Sequence, residues 1–416
     1  MTEPLNRKGM KMKLKIEKVV YPGKGLARTE DGMVVFVPST LPEEVVEVEI
    51  VKEHKKFAEA KLVKVLEPSP DRVEPLCHLQ QGLDIQCPGC TYQYMNYETE
   101  VKLKNDQLKD LLTNMGGVVL DNQVKAPVPS PKSFNYRNKI LLHRDGEKLG
   151  YFSEDNQTLI DVTKCLLAKD EINDLLAELR ERPGFLKDNP EKKSITLRYT
   201  ETDGALQWYG RTGSKDRKLK ITEKTNVGKI EMPTSAFFQI NPEVAEVLTS
   251  KLITLLGDLK PTNCIDLYCG VGIHAFAASK AGVPNVLGIE IDDNSIKAGK
   301  KFAKENGMRL TLLPGSVEKL VEDALKVVSS PETAVIVDPP RRGLEDKVVK
   351  ALGNNIPRYL IYISCAPDTL SRDIKKLSKF GYELKSAQLL DMFPRTPYFE
   401  TLVVLEKNYD KFEKSE

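Results

Sequence analysis

The chain has 416 residues, 40% hydrophobic and 29% charged, which is typical of a soluble protein with two or three domains. No apolar run reaches the ~18 residues of a membrane helix, and the polar start MTEPLNRKGMKMK lacks the apolar core of a secretory signal. We therefore expect a cytoplasmic protein without membrane association. A net charge of +2 neither requires nor excludes nucleic acid, and seven cysteines in a reducing compartment favour burial, metal binding or catalysis over disulfides.

The first predicted elements are short strands. Residues 11 to 66 alternate apolar and polar positions in stretches such as MKLKIEKVVY, MVVFVP and EVVEVEIV, separated by glycines. This pattern is typical of a small β-barrel. We assign residues 9–67 to this domain, and a proline-rich segment after it indicates a linker.

The middle of the chain, residues 68–225, mixes two kinds of pattern. Helical periodicity appears around Tyr97–Met115 and near Asp170–Arg180, while KILLHRD and SITLRYT are typical of strands. We therefore predict a mixed α+β central domain that also carries a group of cysteines.

The last part, residues 226–416, alternates strands and helices. NVLGIEI and TAVIVDPP indicate strands, and NSIKAGKKFAKENG and DTLSRDIKKLSKFG indicate helices. This order predicts an α/β fold with a doubly wound, mainly parallel sheet. The final strands, YELKSAQLLDMF and FETLVVLEK, follow one another without a helix, so we expect them to pair antiparallel at the sheet edge.

A cofactor crevice is predicted where the first strand of this sheet ends, in DLYCGVG. Gly270 and Gly272 let the backbone approach a ligand, and Glu290 follows Asp266 by 24 residues, a spacing that suits a ribose diol. Position 275 is Ala, so the third glycine of a dinucleotide fingerprint is missing. This favours a cofactor with a ribose and no phosphates, such as S-adenosylmethionine. The alternative is a tight strand–helix turn with a capping acid.

Asp338 ends a further strand, in VIVDPPRRG. An acid at that position can orient a substrate or cofactor amine. The alternatives are a helix cap or a partner for Arg341 or Arg342, and those arginines could instead hold phosphate.

Cys365 ends the buried run YLIYISC and precedes a helix. We expect the helix N-terminus to lower the pKa of its thiol and favour the thiolate; the alternative is an inert buried cysteine. Thiolate addition at carbon 6 of uracil makes carbon 5 nucleophilic towards a methyl donor.

The reaction then needs a base for the carbon 5 proton. Glu400, at the start of the final strand, is our candidate, with a raised pKa in a partly dry pocket; the alternative is a surface acid.

Six motifs in order, FFQIN, DLYCGVG, GIEI, DPPRRG, SCAPDTLSRD and DMFP followed by FETLVVLE, resemble the RNA 5-methyluridine methyltransferases, and the barrel resembles a TRAM domain, an OB-like RNA-binding module. The resemblance implies Cys365 as nucleophile and Glu400 as general base. Residues that match the family's S-adenosylmethionine contacts are Gln239, Tyr268, Glu290 and Asp338. We therefore expect a monomer that methylates carbon 5 of a specific uridine in 23S rRNA or tRNA.

Two positions depart from the family pattern. Ala366 stands where the family usually has Asn, and Arg395 stands where DMFP usually continues with His. The nucleophile and the base survive both changes, whereas the positioning of the substrate and the RNA site are put in doubt.

A second motif is C-x9-C-x2-C, formed by Cys77, Cys87 and Cys90, which Cys165 could complete to four ligands. Thiolates at such a spacing suit zinc or an iron–sulfur cluster, and His78 is an alternative fourth zinc ligand. Some members of the family carry a four-iron cluster on a similar set. We therefore predict a structural 4Fe-4S cluster, with zinc as the alternative.

Two rival functions stay open at this point. A cytosine carbon-5 methyltransferase shares the thiol chemistry but needs an acid for ring nitrogen 3, and no residue is assigned to that role. A metal-cluster RNA-binding protein with an inactive crevice would lack methyl transfer.

The candidates for RNA contacts are Lys24, Arg28, Phe36 and the KEHKKF loop of the barrel. A uridine in folded RNA must flip out to reach the thiol.

Overall fold

The computed structural model describes residues 7–81, 87–153, 156–185, 193–210, 220–327, 330–355 and 357–410. These residues form two compact units. The first contains the described residues up to Leu108 together with Phe393–Tyr398, and the second contains Lys109–Met392 and the described residues from Phe399 on. The predicted three-domain division, with boundaries after residues 67 and 225, stays a prediction. Among the helices that the structure describes, none is long and apolar enough to cross a membrane.

The first unit begins with the predicted barrel. Its strands are β1 (Lys11–Val20), β2 (Lys24–Arg28), β3 (Val34–Pro38), β4 (Val45–Glu53) and β5 (Phe57–Glu67). They close in the order β1-β2-β3-β5-β4. Alternate positions such as Leu14, Val35 and Val48 fill the interior, because successive strand residues point to opposite faces. A 3-10 turn (His78–Gln80) follows, and then helix α1 (Tyr97–Asn114), which matches the predicted helix and runs past the end of this unit at Leu108.

The second unit contains an antiparallel sheet and a hairpin. The elements are β6 (Lys139–Asp145), β7 (Lys148–Phe152), β8 (Leu159–Asp161), α2 (Asp170–Glu181), β9 (Ser194–Thr200), β10 (Gly204–Tyr209), β11 (Lys220–Thr225), β12 (Gly228–Pro233) and α3 (Pro242–Leu259). The sheet order is β10-β9-β6-β7-β8, and β11 pairs with β12. Helix α3 is missing from the predicted elements, although Asn241 caps its first turn and Pro242 opens it.

The second unit also contains a seven-stranded sheet. Its elements are β13 (Asn263–Leu267), α4 (Ile273–Lys280), β14 (Asn285–Glu290), α5 (Asp293–Glu305), β15 (Thr311–Pro314), α6 (Val317–Val327), β16 (Thr333–Val337), α7 (Asp346–Asn354), β17 (Tyr359–Ser364), α8 (Pro367–Leu377), a 3-10 turn (Ser378–Phe380), β18 (Tyr382–Leu390) and β19 (Glu400–Lys407). The order is β15-β14-β13-β16-β17-β19-β18. The first five strands are parallel, and β19 pairs antiparallel with both β17 and β18.

This sheet confirms the doubly wound fold and the antiparallel final pair. The strand order reverses beside β13, because β14 lies on one side of it and β16 on the other. In such sheets ligands bind beyond the carboxyl ends of the strands at the point of reversal. The site is therefore expected where Leu267, Glu290 and Val337 end their strands.

Candidate active site

The turn between β13 and α4 requires an unusual backbone. Tyr268, Gly270 and Gly272 have positive φ angles of 64°, 57° and 101°. Glycine adopts this conformation without strain, whereas a tyrosine is rarely found there. Strained backbone of this kind clusters at functional sites. Here it lies in the turn that follows the carboxyl end of β13.

Glu290 is fixed beside this turn, as its position at the end of β14 predicts. Its Oε2 accepts a hydrogen bond from the backbone N–H of Gly270 at 3.1 Å, and its Oε1 accepts one from the N–H of Asp292 at 2.8 Å. The carboxylate therefore has a defined orientation next to the glycine turn. Both bonds leave lone pairs for a further donor such as a hydroxyl.

A cleft opens at the carboxyl ends of the central strands. It contains about 700 Å³ of space, part of it open to solvent, and Gln239, Tyr268, Gly270 and Asp338 are among its lining residues. Much of the wall is apolar, as in most small-molecule sites. The structure thus brings three of the four predicted cofactor residues to one cleft, and the fourth, Glu290, bonds to Gly270. The Tyr268 hydroxyl donates to Glu318 Oε1 at 3.0 Å, which holds the ring in place.

Asp338 has a partner that the sequence did not indicate. His274 Nε2, in the first turn of α4, lies 3.5 Å from Asp338 Oδ2. Arg342, one of the alternatives considered, pairs instead with Glu345 at 2.9 Å. His274 also lines the cleft. Two features of the sequence could have drawn attention to His274. It lies directly after the glycine turn, and it is one of only four histidines in the chain.

Asp266, in β13, is fully buried. Its Oδ2 accepts a hydrogen bond from the N–H of Ala275 at 2.9 Å. Burial raises the pKa of Asp266 to about 7, although the charge of His274 opposes the increase. Its role towards the first turn of α4 is therefore that of a buried cap.

Strand register brings Cys365 and Glu400 together. Ser364 pairs with Thr401 across β17 and β19, and the Thr401 hydroxyl donates to the Ser364 carbonyl at 2.7 Å. Cys365 and Glu400 are the next residues outward from this pair. On the other side of β17, Tyr362 pairs with Val337 of β16. Asp338, the residue after Val337, therefore lies at the same end of the sheet as Cys365 and Glu400.

Burial is the largest influence on the pKa values of Cys365 and Glu400. It raises the pKa of the Cys365 thiol to about 12; the charge of Glu400 adds to the increase and Arg341 opposes it. The expectation of a lowered pKa for this thiol is wrong, because burial and the nearby carboxylates raise it. Glu400 is 2% exposed, and burial raises its pKa well above the ordinary value, with a further increase from Asp338 and opposition from Arg341. The raised pKa predicted for Glu400 is confirmed.

The two departures from the family pattern have different surroundings. The N–H of Ala366 donates to the Ser364 hydroxyl at 3.1 Å, which closes the turn after β17. Arg395 belongs to the first unit, where its Nη1 donates to the Met95 carbonyl at 2.9 Å and its N–H donates to Glu100 at 2.7 Å. Arg395 is thus a buried structural residue of that unit.

The predicted metal site is not shown by the structure. Within the ranges that the structure describes, no group of three or more His, Cys, Asp or Glu side chains is placed to hold a metal ion. Cys77, Cys87 and Cys90 are buried in the first unit, whereas Cys165 belongs to the second. Gln93 Nε2 donates to Cys90 Sγ at 2.8 Å, and the N–H of Cys165 donates to Asn173.

Fold and site together define a class. A doubly wound sheet with an antiparallel last strand, a glycine turn after its first strand and an acid at the end of the next strand is the architecture of an S-adenosylmethionine-dependent methyltransferase. The structure of the Pyrococcus abyssi tRNA (uracil-54, C5)-methyltransferase in complex with S-adenosyl-L-homocysteine resembles the chain with a TM-score of 0.68. The likeness covers 94% of this chain and 100% of that chain at 24% identity, and it shows the shared fold.

Sequence comparisons give the family. The model described as tRNA (Uracil-5-)-methyltransferase matches residues 213–408, and the TRAM domain model matches residues 6–63. A protein of Aquifex aeolicus described as an uncharacterized RNA methyltransferase is 32% identical over 95% of this chain and 98% of its own length. A similarly described protein of Halalkalibacterium halodurans is 29% identical over 97% of this chain and 98% of its own. The chain belongs to the S-adenosylmethionine-dependent RNA (uracil-5-)-methyltransferase family and carries an N-terminal TRAM domain.

Proposed function

We propose that this protein transfers the methyl group of S-adenosylmethionine to carbon 5 of a uridine in RNA through a covalent bond between Cys365 and the uracil ring. The observation that carries the proposal is the strand register, which supports the placement of Asp338, Cys365 and Glu400 at one sheet edge. A nucleophile, a candidate base and the lining of a cofactor cleft thus converge.

Cys365 supplies the nucleophile. The thiolate bonds to carbon 6 of uracil, and the electron pair of the ring double bond moves to make carbon 5 nucleophilic. Because the pKa of this thiol is raised in the protein, the positive charge of Arg341 is needed to make the thiolate accessible. S-adenosylmethionine supplies the electrophilic methyl group.

Glu400 supplies the base. After methylation carbon 5 carries both a methyl group and a proton; Glu400 takes the proton, the ring double bond re-forms and the bond to Cys365 breaks. A raised pKa makes the ionised carboxylate a stronger base than an exposed glutamate. Glu400 Oε1 is buried and has no hydrogen-bond partner among the described residues, which supports a role towards a substrate.

The cofactor contacts are part of the proposal. Glu290, oriented by Gly270, is assigned to the ribose diol, and Asp338 to the amine of the amino-acid portion. Gln239 and Tyr268 are assigned to the walls of the cleft that hold the remainder. The apolar lining and the open space beside Gly270 support a ligand that carries a ribose and no phosphates.

The barrel is the proposed RNA-binding surface. His54 stacks on Phe57 with ring centroids 4.3 Å apart, and Phe36 packs edge-on against Phe57 at 5.6 Å. Lys55 and Lys56 are exposed in the turn beside these rings. Aromatic rings next to cations suit stacked bases and phosphates. Of the other candidates, Lys24 pairs with Glu59 and Arg28 with Glu17.

The test is methyl transfer to defined RNA. Purified protein receives labelled S-adenosylmethionine with unmodified tRNA or with 23S rRNA, and the product nucleosides are separated. We expect 5-methyluridine in one RNA class from the wild-type protein and none from Cys365→Ala, with cofactor binding retained. The matched control is Cys264→Ala, which removes a buried thiol of β13 and should leave transfer intact. 5-Methylcytidine as product, or activity of Cys365→Ala, would contradict the proposal.

The iron–sulfur cluster is a separate proposal that rests on the spacing of Cys77, Cys87, Cys90 and Cys165 in the sequence. The burial of the first three thiols supports a structural role. Protein purified without oxygen should be brown, absorb broadly near ~400 nm and contain iron. A colourless preparation that contains zinc would reverse the choice of metal, and a preparation without either metal would exclude the cluster.

A further inference from the structure

His274 interacts with two carboxylates, Asp338 directly after β16 and Asp266 in β13. Its Nε2 is 3.5 Å from Asp338 Oδ2, and the charge of Asp266, at the end of β13, also acts on the ring. The imidazole is 8% exposed and is part of the cleft lining. None of the catalytic steps above uses it, yet it contacts the acid assigned to the cofactor amine.

The surroundings favour a positively charged ring. Burial by itself lowers the pKa of His274, but the bond to Asp338 and the charges of Asp266 and Asp338 outweigh burial and raise it. His274 Nδ1 and Asp266 Oδ1 are both buried, and neither has a hydrogen-bond partner among the described residues. The contact with Asp338 is therefore the polar contact that the structure gives to this ring.

We propose that His274 is a positioning residue that orients the Asp338 carboxylate to receive the ammonium group of the cofactor's amino-acid portion. This inference rests on the proposed function of the cleft. A donor on one carboxylate oxygen fixes the plane of the group and leaves its other lone pairs for the ligand. The role is specific to the amino-acid portion, because Glu290 is assigned to the ribose.

A pair of ligands separates this role from a purely structural one. S-adenosylhomocysteine and 5′-methylthioadenosine share the adenosine and the sulfur, but the second lacks the amino acid. His274→Asn is too short to reach Asp338 and should weaken S-adenosylhomocysteine roughly tenfold, while 5′-methylthioadenosine changes less than about twofold. His274→Gln places an amide N–H near the position of Nε2 and should restore part of the loss.

A double-mutant cycle tests whether His274 acts through Asp338. Dissociation constants of both ligands are measured calorimetrically for the wild type, His274→Asn, Asp338→Asn, the double variant and Glu290→Gln. We expect the double variant to bind S-adenosylhomocysteine no more weakly than Asp338→Asn, because residues that share one interaction are not additive. Glu290→Gln should weaken both ligands, which both carry the ribose diol.

The outcomes separate the two proposals. Loss of S-adenosylhomocysteine binding in Asp338→Asn but not in His274→Asn, equal losses for both ligands in His274→Asn, or additive losses in the double variant would overturn the role of His274 and leave the cleft assignment in place. If Glu290→Gln and Asp338→Asn both bind S-adenosylhomocysteine like the wild type, the cleft assignment fails, and the role of His274 fails with it.

Discussion

Cys365 and Glu400 lie beside each other because Ser364 and Thr401 pair across two antiparallel strands. The proximity is electrostatically costly, since the charge of Glu400 adds to the burial that raises the pKa of the thiol to about 12. Arg341 opposes the increase for both groups. The arrangement therefore places the proposed nucleophile and the proposed base together, with one guanidinium that favours the ionised form of both.

Arg341 is the first target. Arg341→Gln removes the positive charge that lowers the pKa of Cys365, so less thiolate is present at neutral pH and methyl transfer should slow about tenfold for each pKa unit. The rate should recover as the pH is raised. Single-turnover rates as a function of pH measure this effect. The matched control is Arg342→Gln, since Arg342 pairs with Glu345; equal pH profiles for the two variants would contradict the role of Arg341.

Glu400 should make stability depend on pH. Its pKa in the folded protein is raised above the ordinary value of 4.5, so the folded state keeps a proton that the unfolded chain releases. The resulting stabilisation is complete below the unfolded pKa and is lost as the pH rises through the folded pKa. Glu400→Gln stays neutral throughout. The melting temperature of Glu400→Gln should therefore rise relative to that of the wild type as the pH increases above the ordinary carboxyl pKa of 4.5, whereas a constant difference would show that Glu400 is not held protonated.

Gly299 should support the glycine turn from behind. A Cβ atom there would overlap the Val271 carbonyl oxygen and lie 2.7 Å from Leu312 Cδ1. Gly299→Ala should therefore displace the turn, cost about 1–3 kcal/mol of stability and weaken S-adenosylhomocysteine binding. In the control, Gly257→Ala, the added methyl group meets nothing within 4 Å in α3, and the change should be neutral or slightly stabilising. Calorimetry of both variants checks this, and unchanged affinity in Gly299→Ala would contradict it.

The barrel turn should contribute electrostatically to RNA binding. Replacing Lys55 and Lys56 with Glu should reduce RNA affinity and lower the slope of log K against log salt by about 2, with no effect on S-adenosylhomocysteine. A control pair on the same barrel is Lys13→Glu and Lys15→Glu, whose side chains pair with Glu67 and Glu43. Filter binding at several salt concentrations measures the slopes. Equal slopes for the two double variants would place the RNA elsewhere.

Much of the sheet was predictable because its strands are buried on both faces. TAVIV and YLIYIS are continuous apolar runs that end on Val337 and Ser364, and such runs indicate parallel strands. The meeting of Cys365 and Glu400 also follows from sequence once the last two strands are taken as antiparallel. The α3 helix was missed although it begins with a cap and a proline.

The features that could not be predicted from the sequence depend on contacts between side chains that are far apart along the chain. The contact of His274 with Asp338 joins positions 64 residues apart, and no spacing rule predicts it. Burial and Glu400 raise the pKa of Cys365; the sequence placed Glu400 nearby, but the expectation drawn from the adjacent helix had the opposite direction. The cysteine set was inferred from spacing and family resemblance, and the described residues do not assemble it.

The covalent mechanism is tested by the mass of the complex that Glu400→Gln forms, in the presence of S-adenosylmethionine, with an RNA that the wild type methylates. We expect a protein–RNA species that survives denaturation, carries the added methyl group and maps to Cys365, and we expect none when Cys365 is also replaced by Ala. No covalent species with that RNA, or attachment at another residue, would contradict it.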